Sequence, residues 1–271
     1  MDVRLPRKTE CLARGKLKRE KVSGYSTPSL NRHIRGTWAR KCCQILVQEP
    51  VEPQIIDSGI ATSGLVAHTL VSRYVDHLPY YRQEAINARS GLHTPRSTLA
   101  AWSGRGGAAL QPLLDVHREF VLGSQVLHAN ETPVEMLDPG AGKTKGPMCG
   151  LKPGAGSMPA LAWLMTSVSG GVNAWDASTA SLKDGAVPVD NKHVENLVRP
   201  GAMGRKAWLF AGSELARQRA AVVMSMVQSA TLNGHDPWAY LKDVLERLPT
   251  HLNNRTEELL PHGWTAAAQV T

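Results

Sequence analysis

Two-metal phosphoryl transfer needs carboxylates from separate chain segments, converging to hold ions about 3.5–4 Å apart. Two strings in this 271-residue sequence invite that reading. The first is Leu127-His128-Ala129-Asn130-Glu131-Thr132-Pro133-Val134, in which a short apolar run opens into polar residues. The second is Asp190-Asn191-Lys192-His193-Val194-Glu195-Asn196-Leu197-Val198-Arg199-Pro200, which places Glu195 mid-helix, one turn from Asn191. Taken alone, the first reads equally as a strand ending in a polar turn and the second as a capped amphipathic helix with a solvated Glu. Asp176 and Asp184 are the only acids between Asp138 and Asp190, and neither ends a strand-like run.

Two other groupings fall short of a site. Gly140-Ala141-Gly142-Lys143-Thr144 has the ending of a phosphate-binding loop, but the full spacing needs glycine at 137, which is Leu137. It is read as an exposed loop. Cys42 and Cys43, with Cys11 and His33, supply zinc-ligand types, yet adjacent cysteines chelate poorly and only one half of a two-knuckle site is present. Zinc is therefore not expected, and with no Cys-x-x-Cys pair or disulfide framework the thiols should be reduced.

The elements that must position these residues follow from periodicity. Residues 1–45 are basic and poor in periodic apolar positions, so the expectation is a largely irregular arm with at most a short strand over 33–38. A boundary is predicted at 48–53. Apolar positions at helical spacing predict a helix over 63–77 and another over 80–89. The turn Ser90-Gly91-Leu92-His93 follows, and Thr94-Pro95 then opens a third helix through Trp102, with Thr94 as its cap. Helix, glycine turn, helix is the outline of a helix-turn-helix. A fourth helix fits 113–122 and a short buried strand 126–129.

Residues 146–180 hold six glycines, six alanines, four serines and only two β-branched aliphatic residues, Val168 and Val172. That composition predicts no contribution to a central sheet. Helices are predicted again over 191–199 with Asp190 as cap, over 214–232 closed by Asn233-Gly234, and after the cap Asp236. In the last, Pro237 is the first helical residue, Trp238, Leu241, Leu245 and Leu248 mark the apolar face, and Pro249 stops it.

The net charge of +8 is unevenly spread. Residues 1–45 carry 12 Lys and Arg against 3 Asp and Glu, so the remainder, with 19 basic and 20 acidic residues, is close to neutral. A concentrated basic arm suits phosphate backbones. No run of about 18 apolar residues occurs and the first 20 residues are charged, so neither a membrane span nor a secretory signal is expected, and a cytoplasmic location is.

In addition, the chain resembles the insertion-sequence-66 family of bacterial transposases over roughly 50–145 and 181–265. The resemblance rests on His77-Leu78-Pro79-Tyr80-Tyr81-Arg82-Gln83-Glu84, Pro95-Arg96-Ser97-Thr98-Leu99-Ala100-Ala101-Trp102 and the two strings above. Gly204-Arg205-Lys206, Trp208-Leu209-Phe210-Ala211-Gly212-Ser213 and Asn233-Gly234-His235-Asp236-Pro237 with Tyr240-Leu241 extend it.

The resemblance implies an α/β chain: a helical DNA-binding region, an incomplete ribonuclease-H-like core with an Asp-Asp-Glu triad for Mg²⁺, and a C-terminal helical segment. The implied division is 1–50 (basic arm with an eroded zinc-binding-like segment), 51–124 (helix-turn-helix-like), 125–232 (core, with 146–180 atypical) and 233–271. The family's first catalytic Asp falls on Asn130 and its Glu on Glu195, which would be the remaining metal ligand. No counterpart of the second Asp is recognisable between Lys145 and Ser181, and Arg40 stands where the family usually has a further Cys. The expectation is a transposase-family protein that is catalytically inactive and at most a DNA-binding remnant. Arg82, Arg89, Arg96 and Arg105 are the expected DNA contacts. Partners would be the element's terminal inverted repeats, and a second copy or an intact transposase. The alternative is the product of a decayed, frameshifted gene.

Overall fold

A computed structural model describes residues 11–23, 29–40, 46–48, 50, 52–56, 59–123, 130–133, 136–137, 144–145, 148–154, 162–167 and 213–266. The fold is α/β. Three antiparallel strands come first, β1 (Cys11–Ser23), β2 (Ser29–Arg40) and β3 (Leu46–Gln48), in the order β1-β2-β3. Four helices follow: α1 (Ser63–Tyr74), α2 (Tyr80–Arg89), α3 (Arg96–Ala109) and α4 (Gln111–Leu122). Then come β4 (Asn130–Pro133), β5 (Met136–Leu137), β6 (Thr144–Lys145), β7 (Met148–Gly154) and β8 (Ala162–Ser167). Helices α5 (Glu214–Leu232) and α6 (Pro237–Arg247) close the fold, trailed by two 3₁₀ segments.

The basic N-terminal segment corrects the expectation of an irregular arm. β1 and β2 pair in continuous antiparallel register from Ala13↔Ala39 to Ser23↔Ser29. Lys and Arg mask the strand signal because, interspersed along both strands, they leave no apolar alternation of period two to read in the sequence.

A second correction concerns residues 146–180. They supply β7 and β8, so two strands of the three-stranded sheet β4-β7-β8 come from the segment that composition marks as strand-free. β8 (Ala-Trp-Leu-Met-Thr-Ser) is a short, continuous, largely apolar run of the kind that periodicity cannot assign. Pro153 is accommodated in the central strand because β4 reaches only to the register position Asn130↔Leu151, leaving Pro153 paired on the β8 side alone. The predicted strand at 126–129 and the helix at 191–199 lie outside the described residues.

The core unites helices from both ends of the chain. Leu65, Val66, Leu70, Leu99, Trp102 and Leu110 of the α1–α4 region form one cluster with Val223, Met226, Val227, Tyr240, Leu241 and Leu245 of α5 and α6. Helix α3 runs seven residues past the predicted stop at Trp102. Its glycines explain both the misreading and the packing. Gly106 faces Val66 and Leu70 of α1, and Gly107 faces Arg219 of α5, each so near that a Cβ would meet its neighbour at 3.1 and 2.9 Å respectively. Glycine within a helix normally argues against it, by about 0.5–1 kcal/mol relative to Ala, and here close helix approach is the return.

α5 keeps its predicted bounds and α6 its predicted cap and start, while α6 ends at Arg247 and Leu248 with Pro249 continues as a 3₁₀ turn. α5 ends in a Schellman motif: Gly234 has φ +77°, His235 N–H donates to Ala230 O at 2.9 Å, and Gly234 N–H to Thr231 O at 3.0 Å. The Asp236 carboxylate accepts from Ala239 N–H at 2.7 Å, and Pro237 opens α6. Trp238 Nε1–H donates to Gly64 O at 3.1 Å, tying α6 back to α1. No described helix is long and apolar enough to cross a membrane.

Candidate nucleic-acid interface

The two helices predicted to carry the DNA contacts are α2 and α3. α2 ends in a second Schellman motif, with Gly91 at φ +81°, Leu92 N–H donating to Asn87 O at 2.9 Å and Gly91 N–H to Ala88 O at 3.0 Å. The connection to α3 takes residues 90–95, longer than the three or four of a compact helix-turn-helix. Thr94 does not cap α3: the cap position is Pro95, no side chain closes it, and Thr94 is buried. Pro95 contributes its carbonyl instead, accepting from Thr98 and Leu99 N–H.

α2 is anchored from beneath by Gln83, only 5% exposed, whose amide Nε2 donates to Leu78 O at 2.9 Å. Between α1 and α2 the chain turns at His77, a non-glycine residue at φ 56°, and Leu78 N–H donates back to Ser72 O. Left-handed backbone at an L-residue costs roughly 1–2 kcal/mol, so this turn is held by its surroundings.

All four arginines predicted to contact DNA are exposed. Arg82 and Arg89 lie two turns apart on α2, on the same side as Tyr81, whose hydroxyl accepts from Arg82 Nε at 3.2 Å. Tyr81 is 55% exposed. On α3 the exposed stripe runs through Arg96, Ser97, Ala100, Ala101, Arg105 and Ala108. Nine positions at about 100° each put Arg96 and Arg105 on opposite edges of that stripe. This face thus offers cations around a strip of small residues.

Sequence reading missed Arg73 and Arg219, on α1 and α5. They line one cleft of about 280 Å³ with Tyr80, Ser103, Gly104 and Ser213. Arg73 stacks over the Tyr80 ring at 4.0 Å from its centroid. Burial, with Tyr74 adding to it, pushes the Tyr80 hydroxyl well above its ordinary pKa despite the opposing pull of Arg73, so it stays protonated. No local motif marks this pair, because α1 and α5 meet only in the folded chain.

For the implied catalytic positions the structure is narrower. Asn130 opens β4, opposite Leu151 of β7. Across β4, β7 and β8, Glu131 is the sole acidic residue. No group of three or more His, Cys, Asp or Glu that could hold a metal occurs among the described residues. Glu195, Asp176, Asp184 and the Cys42-Cys43 pair lie outside them.

The model of the "Transposase IS66 family" matches residues 58–148 and 157–219, and that of the "IS66 C-terminal element" matches 225–262. The expected gap in the family pattern between Lys145 and Ser181 is thereby corrected to 149–156. Three similar proteins of Sinorhizobium fredii are all named as uncharacterized. Protein y4jD is 24% identical over 374 residues, taking in 88% of this chain and 73% of y4jD. Proteins y4qI and y4hP are 43% and 41% identical over 99 and 97 residues, each covering 36% of this chain and 18% of the relative. The share of 88% of 271 residues is roughly 238, so some 136 positions of the 374-residue alignment have no counterpart here. No solved structure matches with significance. With one family model covering more than half of its length and a second its C-terminal helices, the chain belongs to the IS66 transposase family.

Proposed function

We propose that this chain is a DNA-binding member of its family that does not cut DNA. The observation that carries the reading is Asn130, which stands where the family resemblance puts the first catalytic Asp, on a sheet whose described strands hold no acid but Glu131. A carboxamide offers one neutral carbonyl where a carboxylate offers two charged oxygens able to bridge ions. Losing about 4 kcal/mol of transition-state stabilisation slows a reaction on the order of a thousandfold, and a missing second Asp adds to that. This donor set does not fit two Mg²⁺ ions. The roughly 136 positions of y4jD without a counterpart support the same reading, since an internal loss of that size leaves room for a catalytic strand to be missing.

A ribonuclease-H-like core, reduced to the antiparallel sheet β4-β7-β8 with α5 against β8, fits this account. Binding would rest on the basic N-terminal strands and on Arg82, Arg89, Arg96 and Arg105, with the terminal inverted repeats of the element as target. Homo-oligomers, or an intact copy supplying catalysis, are the partners this implies. The test is binding of a duplex carrying those repeats against an unrelated duplex, with and without Mg²⁺: retention of both binding and uncut DNA is expected, and absence of binding at low salt would refute it.

A second reading, the product of a decayed gene, is favoured by the interruption of the family match at 149–156. Cooperative unfolding of the purified chain argues against it, because the hydrophobic core draws on both sides of that interruption.

A further inference from the structure

Two adjacent tyrosines open α2, about 100° apart around the helix, and they have opposite surroundings. Tyr80 packs against the hydrophobic core, whereas Tyr81 stays 55% exposed. At about 100° per residue, Tyr81, Ala85, Arg89, Arg82 and Ile86 fall in that order within an arc of about 140°. All five are exposed, and Glu84, the acid of α2, falls outside the arc. Apolar residues exposed singly are ordinary. Here Tyr81 and Ile86 flank a pair of cations that lie roughly 10 Å apart along the helix axis.

Arg82 Nε donates to the Tyr81 hydroxyl at 3.2 Å, and the guanidinium lies 5.9 Å from the ring centroid, so cation and ring are held as one unit. That bond uses a single N–H of a group that carries several. A second copy of the chain suits the arc poorly, because a two-fold contact would set Arg82 and Arg89 against their own equivalents with no carboxylate between them. A polyanion suits it well. In paired DNA the bases stack on one another and offer only their edges, so an exposed ring face gains nothing from a duplex. A base without a partner strand can lie flat on it.

Resting on the DNA-binding reading above, we propose that this arc of α2 binds an unpaired nucleotide, with the base stacked on Tyr81 and the flanking phosphates held by Arg82 and Arg89. The arginines then hold any DNA backbone, while Tyr81 adds a preference for ends whose strands have come apart. Stacking of this kind tolerates every base, since each has a π-face.

The experiment uses the full chain, fluorescence anisotropy and two labelled probes of the terminal repeat, one fully paired and one with a short single-stranded tail. The unaltered chain should bind the tailed probe more tightly by about fivefold or more. Tyr81→Ala should remove that preference and keep the salt slope, because the ring carries no charge, whereas Tyr81→Phe should keep the preference. Arg82→Gln should lower the slope of log affinity against log salt by about 0.9. A fluorescent base analogue at the first unpaired position should be quenched by the unaltered chain and not by Tyr81→Ala. Thermal melts of each variant confirm folding. Equal affinity for the two probes, or a tail preference that survives in folded Tyr81→Ala, overturns the stacking and leaves the DNA-binding reading intact. Binding of neither probe overturns both. Binding of polyglutamate in place of DNA, lost in Arg82→Gln, assigns the arc to an acidic protein and overturns the proposal.

Discussion

Gly107 of α3 and Arg219 of α5 meet almost backbone to backbone, so that a Cβ on residue 107 would lie 2.9 Å from the Arg219 Cβ and 3.1 Å from its carbonyl oxygen. The contact joins the helices before the small sheet to those after it. It also sets the depth of the cleft that Arg219 lines.

Gly107→Ala should accordingly be destabilising although Ala is the better helix former. The propensity gain is about 0.5–1 kcal/mol, whereas overpacking against a backbone that cannot retreat costs about 1–3 kcal/mol. Gly104→Ala is the counterpart, since its Cβ meets only the flexible end of Arg219, and it should be neutral or slightly stabilising. Urea melts of the two variants check this, and equal midpoints would mean that α3 and α5 are not in close contact.

In the C-terminal element, Tyr240 is fully buried and its hydroxyl donates to Leu259 O at 2.9 Å. Tyr240→Phe should cost about 1–2 kcal/mol by leaving that carbonyl without its donor. Asp236→Ala, which removes the α6 cap, should cost about 1 kcal/mol. A Tyr240→Phe protein as stable as the parent would contradict the packing of α6 on the terminal 3₁₀ turn.

The helices were legible where one physical signal dominated. Asp236-Pro237 and the apolar spacing of Trp238, Leu241 and Leu245 define α6, and Asn233-Gly234 ends α5, because capping and periodicity are local. What was hidden depends on tertiary context. The glycines of α3 read as a stop until α1 and α5 are seen against them, and β1 and β2 carry too much charge to look like strands. Arg82, Arg89, Arg96 and Arg105 are singled out by the sequence as candidates and are exposed, while Arg73 and Arg219 are brought together only by the fold.

Stability should fall as the solution is acidified from neutrality. Burial lowers the pKa of His68, His77 and His262 below 6.5, partly offset by Asp76 for the first two and by Glu257 for the third. The unfolded chain therefore takes up these protons first, so the histidine contribution is complete above about pH 6.5 and is lost as pH drops below it. Glu246 has the opposite sign: burial, with Asp243 adding to it and Lys242 opposing, raises its pKa above 4.5, so its cost to the folded state sets in as pH rises through that value. Thermal melts from pH 7.5 to 5.5 should show a declining Tm, with a shallower decline in His262→Gln. A Tm that rises on acidification would contradict the assignment.

Loss of the basic N-terminal strands should weaken DNA binding generally. Truncating residues 1–45 should lower affinity for any duplex and flatten its salt dependence. Arg82→Gln with Arg89→Gln should remove about 0.9 from the slope for each phosphate that is no longer neutralised. An unchanged slope in the truncated chain would assign the phosphate contacts to the helices alone.

The central claim, binding without cutting, is tested most directly by Mg²⁺- or Mn²⁺-dependent nicking of a fragment that carries the element's terminal inverted repeats. The unaltered chain should leave the fragment intact, and Asn130→Asp should not restore cleavage, because two carboxylates, one restored at 130 and one from Glu195, cannot hold two ions. Specific nicking by the unaltered chain would contradict the account and would require Asp176, Asp184 or a partner subunit to complete the site.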